Sequence, residues 1–185
     1  MPIELVDIDW LNKFSDKREE LLDEYKQSLD KVETFNPIMH PLWGLVSPKD
    51  EMKHFPILGK LLSELPDDIH LSLVTMSSIT PGMMEMFHAF HAEPYPRELG
   101  FRRYHITLQT EPTAQFEIQD EPLYTWETGK VYEFTNPGTP HRILYPEGND
   151  ERINMMLDVF VGEAPTKETL DICYNIANGF VGRTN

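Results

Sequence analysis

Apolar positions along this chain follow two rhythms. From Asp16 to Val32, the residues Leu21, Leu22, Tyr25, Leu29 and Val32 recur at three- and four-residue steps among Lys and Glu, which predicts an amphipathic helix with one buried stripe. Asp16 followed by Glu19 reads as its capping box. A second, shorter helix is predicted in ILGKLLSEL, before Pro66. Beyond Pro66 the texture changes to short runs rich in Val, Ile, Thr, Tyr and Phe, broken at roughly even intervals by Pro, Gly, Asn and Asp. Eight such runs predict strands: IHLSLVTMSSIT, MMEMFHAF, RRYHITLQT, AQFEIQD, PLYTW, KVYEF, HRILY and RINMMLDVFV. A final helix is predicted after Thr166 as its cap, with Leu170, Cys173 and Ala177 as its stripe and Gly179 as its stop.

Eight short, mainly antiparallel strands must each bury one face and protect their edges. The expected fold is therefore mainly β, a jelly roll or double-stranded β-helix of cupin-like form, with flanking N-terminal helices and a C-terminal helix. At 185 residues the chain suits one well-buried domain. Its expected parts are a mainly helical N-terminal cover over 1–65, a jelly-roll core over 66–162, and a C-terminal helix and tail over 163–185.

Charge and composition narrow the chemistry. With 16 Lys and Arg against 31 Asp and Glu, the formal charge of -15 repels phosphate backbones and anionic membrane surfaces. No segment approaches the roughly 20 apolar residues of a membrane span. The opening MPIELVDIDW lacks the basic and apolar regions of a signal peptide. The expectation is a cytoplasmic protein with no nucleic-acid or membrane partner, whose nine Met and several aromatics leave room for a homodimer. The lone Cys173 forms no internal disulfide and excludes a thiolate zinc cluster, so any metal is held by His and carboxylate.

FHAFHAE, residues 87–93, is the first candidate for such a site. On an extended strand, side chains alternate faces, so His91 and Glu93 project together while His88 sides with Phe90. A His-x-Glu pair plus a distant His makes the two-histidine, one-carboxylate set that binds Fe(II) and leaves coordination positions open. His141 is the best candidate for the distant ligand, because it follows the turn-like NPGTP and opens a strand. His40, His54 and His70 have no carboxylate or basic company at a useful spacing and read as ordinary structural histidines.

Two further features raise this reading. RRYHITLQT places Arg103, His105, Thr107 and Gln109 on one face of a strand, and so polar a face must see water or line a pocket. The last strand starts at Arg152 and continues apolar, which would bring a guanidinium, a fork matched to carboxylate, into the same interior. The competing expectation for Arg152 is a surface pair with Glu151 or Asp150.

From about Ser77 to Val159 the chain resembles the aspartyl/asparaginyl β-hydroxylase family of Fe(II)/2-oxoglutarate-dependent dioxygenases. The resemblance rests on ITPG leading to His, RYHITL, TWETGKVYEF, the His of TPHRI and ERINMMLDVF, in family order and at near-family spacing. It implies a double-stranded β-helix in which 2-oxoglutarate chelates Fe(II), with His141 as the distal metal ligand and Arg152 paired with the far carboxylate of 2-oxoglutarate. Arg103, His105 and Ser77 would line the same cosubstrate pocket, while Trp126 and Gly129 look structural. Counting from Pro81-Gly82, the family-like distance falls on His88, three residues before His91. His91 with Glu93 supplies the charge of a full ligand set, and His88 is the alternative first ligand.

The implied activity is hydroxylation of an unactivated C–H bond in an amino acid or in an Asp-, Asn- or Pro-type side chain of a peptide. EPYPRELGFR, between the first ligands and RYHITL, is the expected substrate loop, or else an ordinary connection. Two other classes compete: a cupin-type metal enzyme that does not use 2-oxoglutarate, and a non-catalytic jelly-roll binding module. Arg152 at the start of the last strand argues against the first of these.

Overall fold

The computed structural model describes residues 2–32, 39–44, 47–82, 92, 95–145 and 147–181. Among these residues ten strands form two sheets: β1 (Ile3–Leu5), β2 (Met39–Gly44), β3 (Ser47–Pro48), β4 (Ile69–Ile79), β5 (Phe101–Gln109), β6 (Gln115–Ile118), β7 (Tyr124–Thr125), β8 (Val131–Phe134), β9 (His141–Leu144) and β10 (Arg152–Val161). The larger sheet has the order β1-β8-β5-β10-β4-β2-β3 and the smaller β7-β6-β9, with every pairing antiparallel. Seven of the eight predicted strands are present as β4 to β10; MMEMFHAF lies outside the described residues. The first three strands were not predicted, so the N-terminal stretch contributes β1 at one edge of the large sheet and β2 and β3 at the other, as well as a helical cover.

The large sheet is covered differently on its two faces. One face packs Val74, Met76, Ile106, Met155 and Leu157 against the helices α1 (Asp9–Asp16), α2 (Arg18–Ser28) and α3 (Pro56–Ser63), which contribute Leu11, Phe14, Leu21, Tyr25 and Leu58. On the other face, Ile3, Tyr132 and Phe134 meet Phe116 and Ile118 of the small sheet, with Trp126 between them. Two facing antiparallel sheets with helices outside the larger one are the predicted jelly roll.

The helical cover differs from the expectation at its start. A single helix capped by Asp16 is replaced by two, because Asp16 ends α1 in helical conformation and cannot adopt the extended shape of a cap. Lys17 forms the break and α2 has no side-chain cap. The Leu29–Lys31 segment is a 3-10 turn rather than more α-helix. α3 starts on Pro56, which needs no N–H partner, and its next two N–H groups donate to the buried Glu24 carboxylate of α2, Ile57 at 2.7 Å and Leu58 at 3.1 Å. One helix thus caps its neighbour.

At the far end, α4 (Lys167–Val181) is capped as predicted: Thr166 Oγ1 accepts the Thr169 N–H at 3.2 Å. Gly179 does not stop it, since helical hydrogen bonding continues to Val181. Leu170, Cys173 and Ile176 pack on Tyr95, Phe101 and Phe160. Gly129, φ +78°, makes the predicted turn before β8, in a backbone region that strains residues with a Cβ. Among the described residues no helix is long and apolar enough to cross a membrane.

Candidate active site

β4, β5 and β10 build the site on the face turned away from the helices. Register sets three polar layers there: Asn154 between Thr107 and Ser77, Met156 between His105 and Thr75, and Asp158 between Arg103 and Leu73. The intervening positions Tyr104, Ile106, Ile153, Met155 and Leu157 belong to the helix-covered core. Alternation along the two strands therefore makes one face core and the other site. Arg103, His105 and Thr107 are buried on the predicted polar face.

Gln109 departs from that expectation. The register shifts so that Asn154 opposes Thr107 while Ile153 opposes Gln109, leaving Leu108 as the extra residue of a bulge. Leu108 stays in the helix-side core, and the Gln109 amide donates to the Glu151 carbonyl at 2.7 Å and accepts from Lys26 of α2 at 3.0 Å. The bulge has turned Gln109 away from the pocket face.

His141 opens β9, paired with Ile118 of β6. Its ring stacks on Phe116 at 5.3 Å and meets Phe134 edge-on at 4.6 Å, and the residue is buried. Nδ1 lies 2.9 Å from the Thr139 carbonyl, which can only accept, so Nδ1 carries the proton and Nε2 the lone pair. A histidine that ligates a metal through Nε2 needs that tautomer. Among the described residues no group of three His, Cys, Asp or Glu side chains could hold a metal ion. The other predicted ligands, His91, Glu93 and the alternative His88, lie outside the described residues.

Arg152 is buried, which rules out the expected surface pair with Glu151 or Asp150. Its guanidinium sits 4.9 Å over the Trp126 ring, and its Nη1 has no hydrogen-bond partner among the described residues. Burial pulls its pKa down to about 10, against a smaller opposing influence of Tyr145, so it remains a cation at neutral pH. The His105 ring lies 4.7 Å from that of Trp126. Its Nδ1 accepts from Asn154 Nδ2 at 3.0 Å, and its Nε2 is also without a partner among the described residues. Burial first, then the charges of Arg103 and Arg152 and the nearby His141, hold His105 well below the ordinary imidazole range, so it is neutral at pH 7. Trp126 Nε1 is a third buried N–H in the same condition.

Three buried donors grouped on one indole, one of them a cation, are the chemistry of an anion site. A carboxylate fits them: it offers several lone pairs, carries the balancing charge, and satisfies hydrogen bonds that the described residues leave unmade.

Arg103 and Ser77 stand nearby in other arrangements. Arg103 makes a two-point pair with Asp158, Nε to Oδ1 at 2.8 Å and Nη2 to Oδ2 at 2.7 Å, and lies 5.0 Å over Tyr95. Ser77 is buried, with its hydroxyl 3.4 Å from the Asn154 carbonyl. In the expected substrate loop, the described residues 95–102 are built into the fold: Tyr95 stacks on Phe101, and Arg97 pairs with Glu133 at 2.5 Å. Asn154, Asp158 and the Trp126 N–H are the site groups that sequence reasoning missed. The alternation of RINMMLDVF placed Asn154 and Asp158 on Arg152's face, and that signal could have found them.

Residues 15–161 match the sequence profile of the aspartyl/asparaginyl beta-hydroxylases. The chain belongs to that family. Membership in the aspartyl/asparaginyl β-hydroxylases makes it an Fe(II)- and 2-oxoglutarate-dependent dioxygenase acting on a small molecule or peptide. No protein of curated function matches the sequence. Solved structures share the fold at low identity. The non-heme alpha ketoglutarate dependent epimerase SnoN from nogalamycin biosynthesis is 12% identical, with 84% of this chain and 79% of that one covered and a TM-score of 0.51. A nickel complex of the non-heme monooxygenase ThoJ is 12% identical, with 92% of each chain covered and a TM-score of 0.50. The jelly roll predicted by strand counting is thus the fold of this hydroxylase family member.

Proposed function

We propose that this chain, working as one domain, hydroxylates an unactivated C–H bond of an amino acid or of an Asp-, Asn- or Pro-type side chain in a peptide, with Fe(II) held by His91, Glu93 and His141. His88 is the alternative first ligand. Bound there, iron and 2-oxoglutarate supply the oxidation: one atom of O₂ enters the substrate as hydroxyl and the other enters succinate as CO₂ leaves.

The chain's own work is binding, orientation and exclusion of water. Arg152 pairs with the distal carboxylate of 2-oxoglutarate, and His105 donates Nε2–H to the same dianion. Arg103 and Ser77 line the pocket beside them, with Arg103 held by Asp158. The rings of Phe116, Trp126 and Phe134 keep bulk water from these donors, which strengthens each bond to the anion. The observation that supports this reading most is the buried cation of Arg152, lacking a partner for Nη1 among the described residues beside two more unpartnered N–H groups.

Anaerobic titration of the apoprotein with Fe(II) and then 2-oxoglutarate tests the assignment. The weak visible charge-transfer band of the bidentate complex is expected in wild type and absent in His141→Ala and Arg152→Ala. Comparing His88→Ala with His91→Ala identifies the remaining histidine. Tight metal binding with no band in wild type would overturn the cosubstrate assignment.

A further inference from the structure

Resting on that cosubstrate reading, we infer that Asn154 is a positioning residue: it selects the His105 tautomer that turns an N–H, rather than a lone pair, toward 2-oxoglutarate.

A neutral imidazole has one N–H and one lone pair, and which nitrogen carries the proton decides whether the ring attracts or repels an anion. His105 is nearly sealed from solvent, with the rings of Trp126, Phe116 and Phe134 around it at 4.7, 6.3 and 6.4 Å. Water therefore cannot choose the tautomer. The protein contact on Nδ1 is Asn154 Nδ2 at 3.0 Å, and an amide nitrogen can only donate. Nδ1 must accept, so the proton sits on Nε2.

Strand geometry holds this contact in place. Asn154 opposes Thr107 and Met156 opposes His105, so Asn154 and His105 are diagonal neighbours on one face of a central pair of strands, within reach of one short side chain. The same layer leaves Asn154 Oδ1 buried without a partner among the described residues. A side chain selected only for core packing would not carry an unmet acceptor, whereas an amide whose donor end is needed must bring that oxygen with it.

The Nε2–H so fixed is itself buried without a partner among the described residues, beside the Arg152 cation. A carboxylate would meet a donor there. In the other tautomer it would meet the Nε2 lone pair. The difference is one charge-assisted hydrogen bond made or lost, a change of about tenfold or more in affinity.

Two measurements on the full chain test the role. In ¹⁵N-histidine-labelled apoprotein, the His105 nitrogen shifts should report the Nε2–H form in wild type. In Asn154→Asp, whose carboxylate only accepts, they should report the Nδ1–H form. Asn154→Leu, close in size and without hydrogen bonds, should give a mixture and covers the case in which the Asp variant does not fold. With Fe(II) present, Asn154→Asp should raise KM for 2-oxoglutarate about tenfold or more, and Asn154→Leu should raise it by about the reciprocal of the fraction left as Nε2–H, roughly twofold for an even mixture, each with kcat at saturating cosubstrate changed less than about threefold. Wild type that binds no 2-oxoglutarate sinks the cosubstrate reading. Wild type that binds it with His105 protonated on Nδ1, or variants that keep wild-type KM, sinks the role of Asn154.

Discussion

Arg103 and Asp158 face each other in register on adjacent strands and are joined at both ends of the carboxylate, 2.8 and 2.7 Å, with both residues buried. Removing one member of such a pair leaves the other's desolvation uncompensated by its partner, at a cost of about 3–5 kcal/mol. Asp158→Asn should therefore lower Tm by about 10 °C in a chain of this size. The double variant Arg103→Met/Asp158→Leu should recover most of that loss. Differential scanning calorimetry of the three proteins checks both, and equal losses in single and double variants would contradict the pairing.

Arg152 gives the opposite expectation for the cosubstrate-free protein. Burial holds its pKa near 10, below the ordinary arginine range, so at neutral pH the fold bears a disfavoured cation, and stability on this account rises only as pH climbs past about 10 toward the ordinary range. The penalty is on the order of 3 kcal/mol. Arg152→Met should melt at or above the wild-type temperature while losing 2-oxoglutarate binding. Added 2-oxoglutarate should raise the Tm of wild type and leave the variant unmoved, read by thermal shift without metal.

Trp126 carries two jobs that one substitution separates. Trp126→Phe keeps an aromatic ring for the stacks with Phe116 and Tyr132 at 5.1 and 5.3 Å but deletes the Nε1–H, which has no partner among the described residues. KM for 2-oxoglutarate should rise several-fold with Tm within a few degrees of wild type. An unchanged KM would return Trp126 to a purely structural role.

Glu24 links pH to the helical cover. Burial raises its pKa above the ordinary carboxylate range, against the lowering effect of the two backbone N–H groups it accepts. The native state therefore holds this proton more tightly than the unfolded chain, and the ionised group's penalty is relieved as pH falls through the raised pKa toward 4.5. Glu24→Gln removes the charge and this part of the pH dependence but keeps only one of the two acceptor oxygens, so at pH 7 it should cost less than Glu24→Ala, about 1 kcal/mol or below. Glu24→Ala uncaps α3 and should cost about 1–2 kcal/mol. Urea denaturation at pH 5 and pH 7 distinguishes them.

The sequence revealed periodicity well and pairing poorly. The two-residue alternation of RRYHITLQT and RINMMLDVF was enough to find β5, β10 and their polar face, and Arg152 and His141 stood out by their places at strand starts. The Arg103–Asp158 pair depends on which residues of two distant strands are opposed, which no local pattern encodes. The Leu108 bulge that rotates Gln109 away is likewise invisible to a strict two-residue alternation. α3's cap comes from another helix, so a search for local capping boxes found Asp16, which the end of α1 had already occupied. β1 and β3 are too short to show a period, and Pro41 disguises β2.

The bulge at Leu108 also bears on which changes in length the chain can accept. Between Phe101 and Thr107, one inserted residue would exchange the faces of everything beyond it, sending His105 or Thr107 toward the helices and Ile106 into the pocket. Past Leu108 the strand has already absorbed one extra residue, and Thr110 onward leaves the ladder altogether. Catalytic alignment is therefore insulated from the 110–114 connection. That connection can grow or shrink from one descendant sequence to the next, while the seven residues before the bulge can vary only in kind.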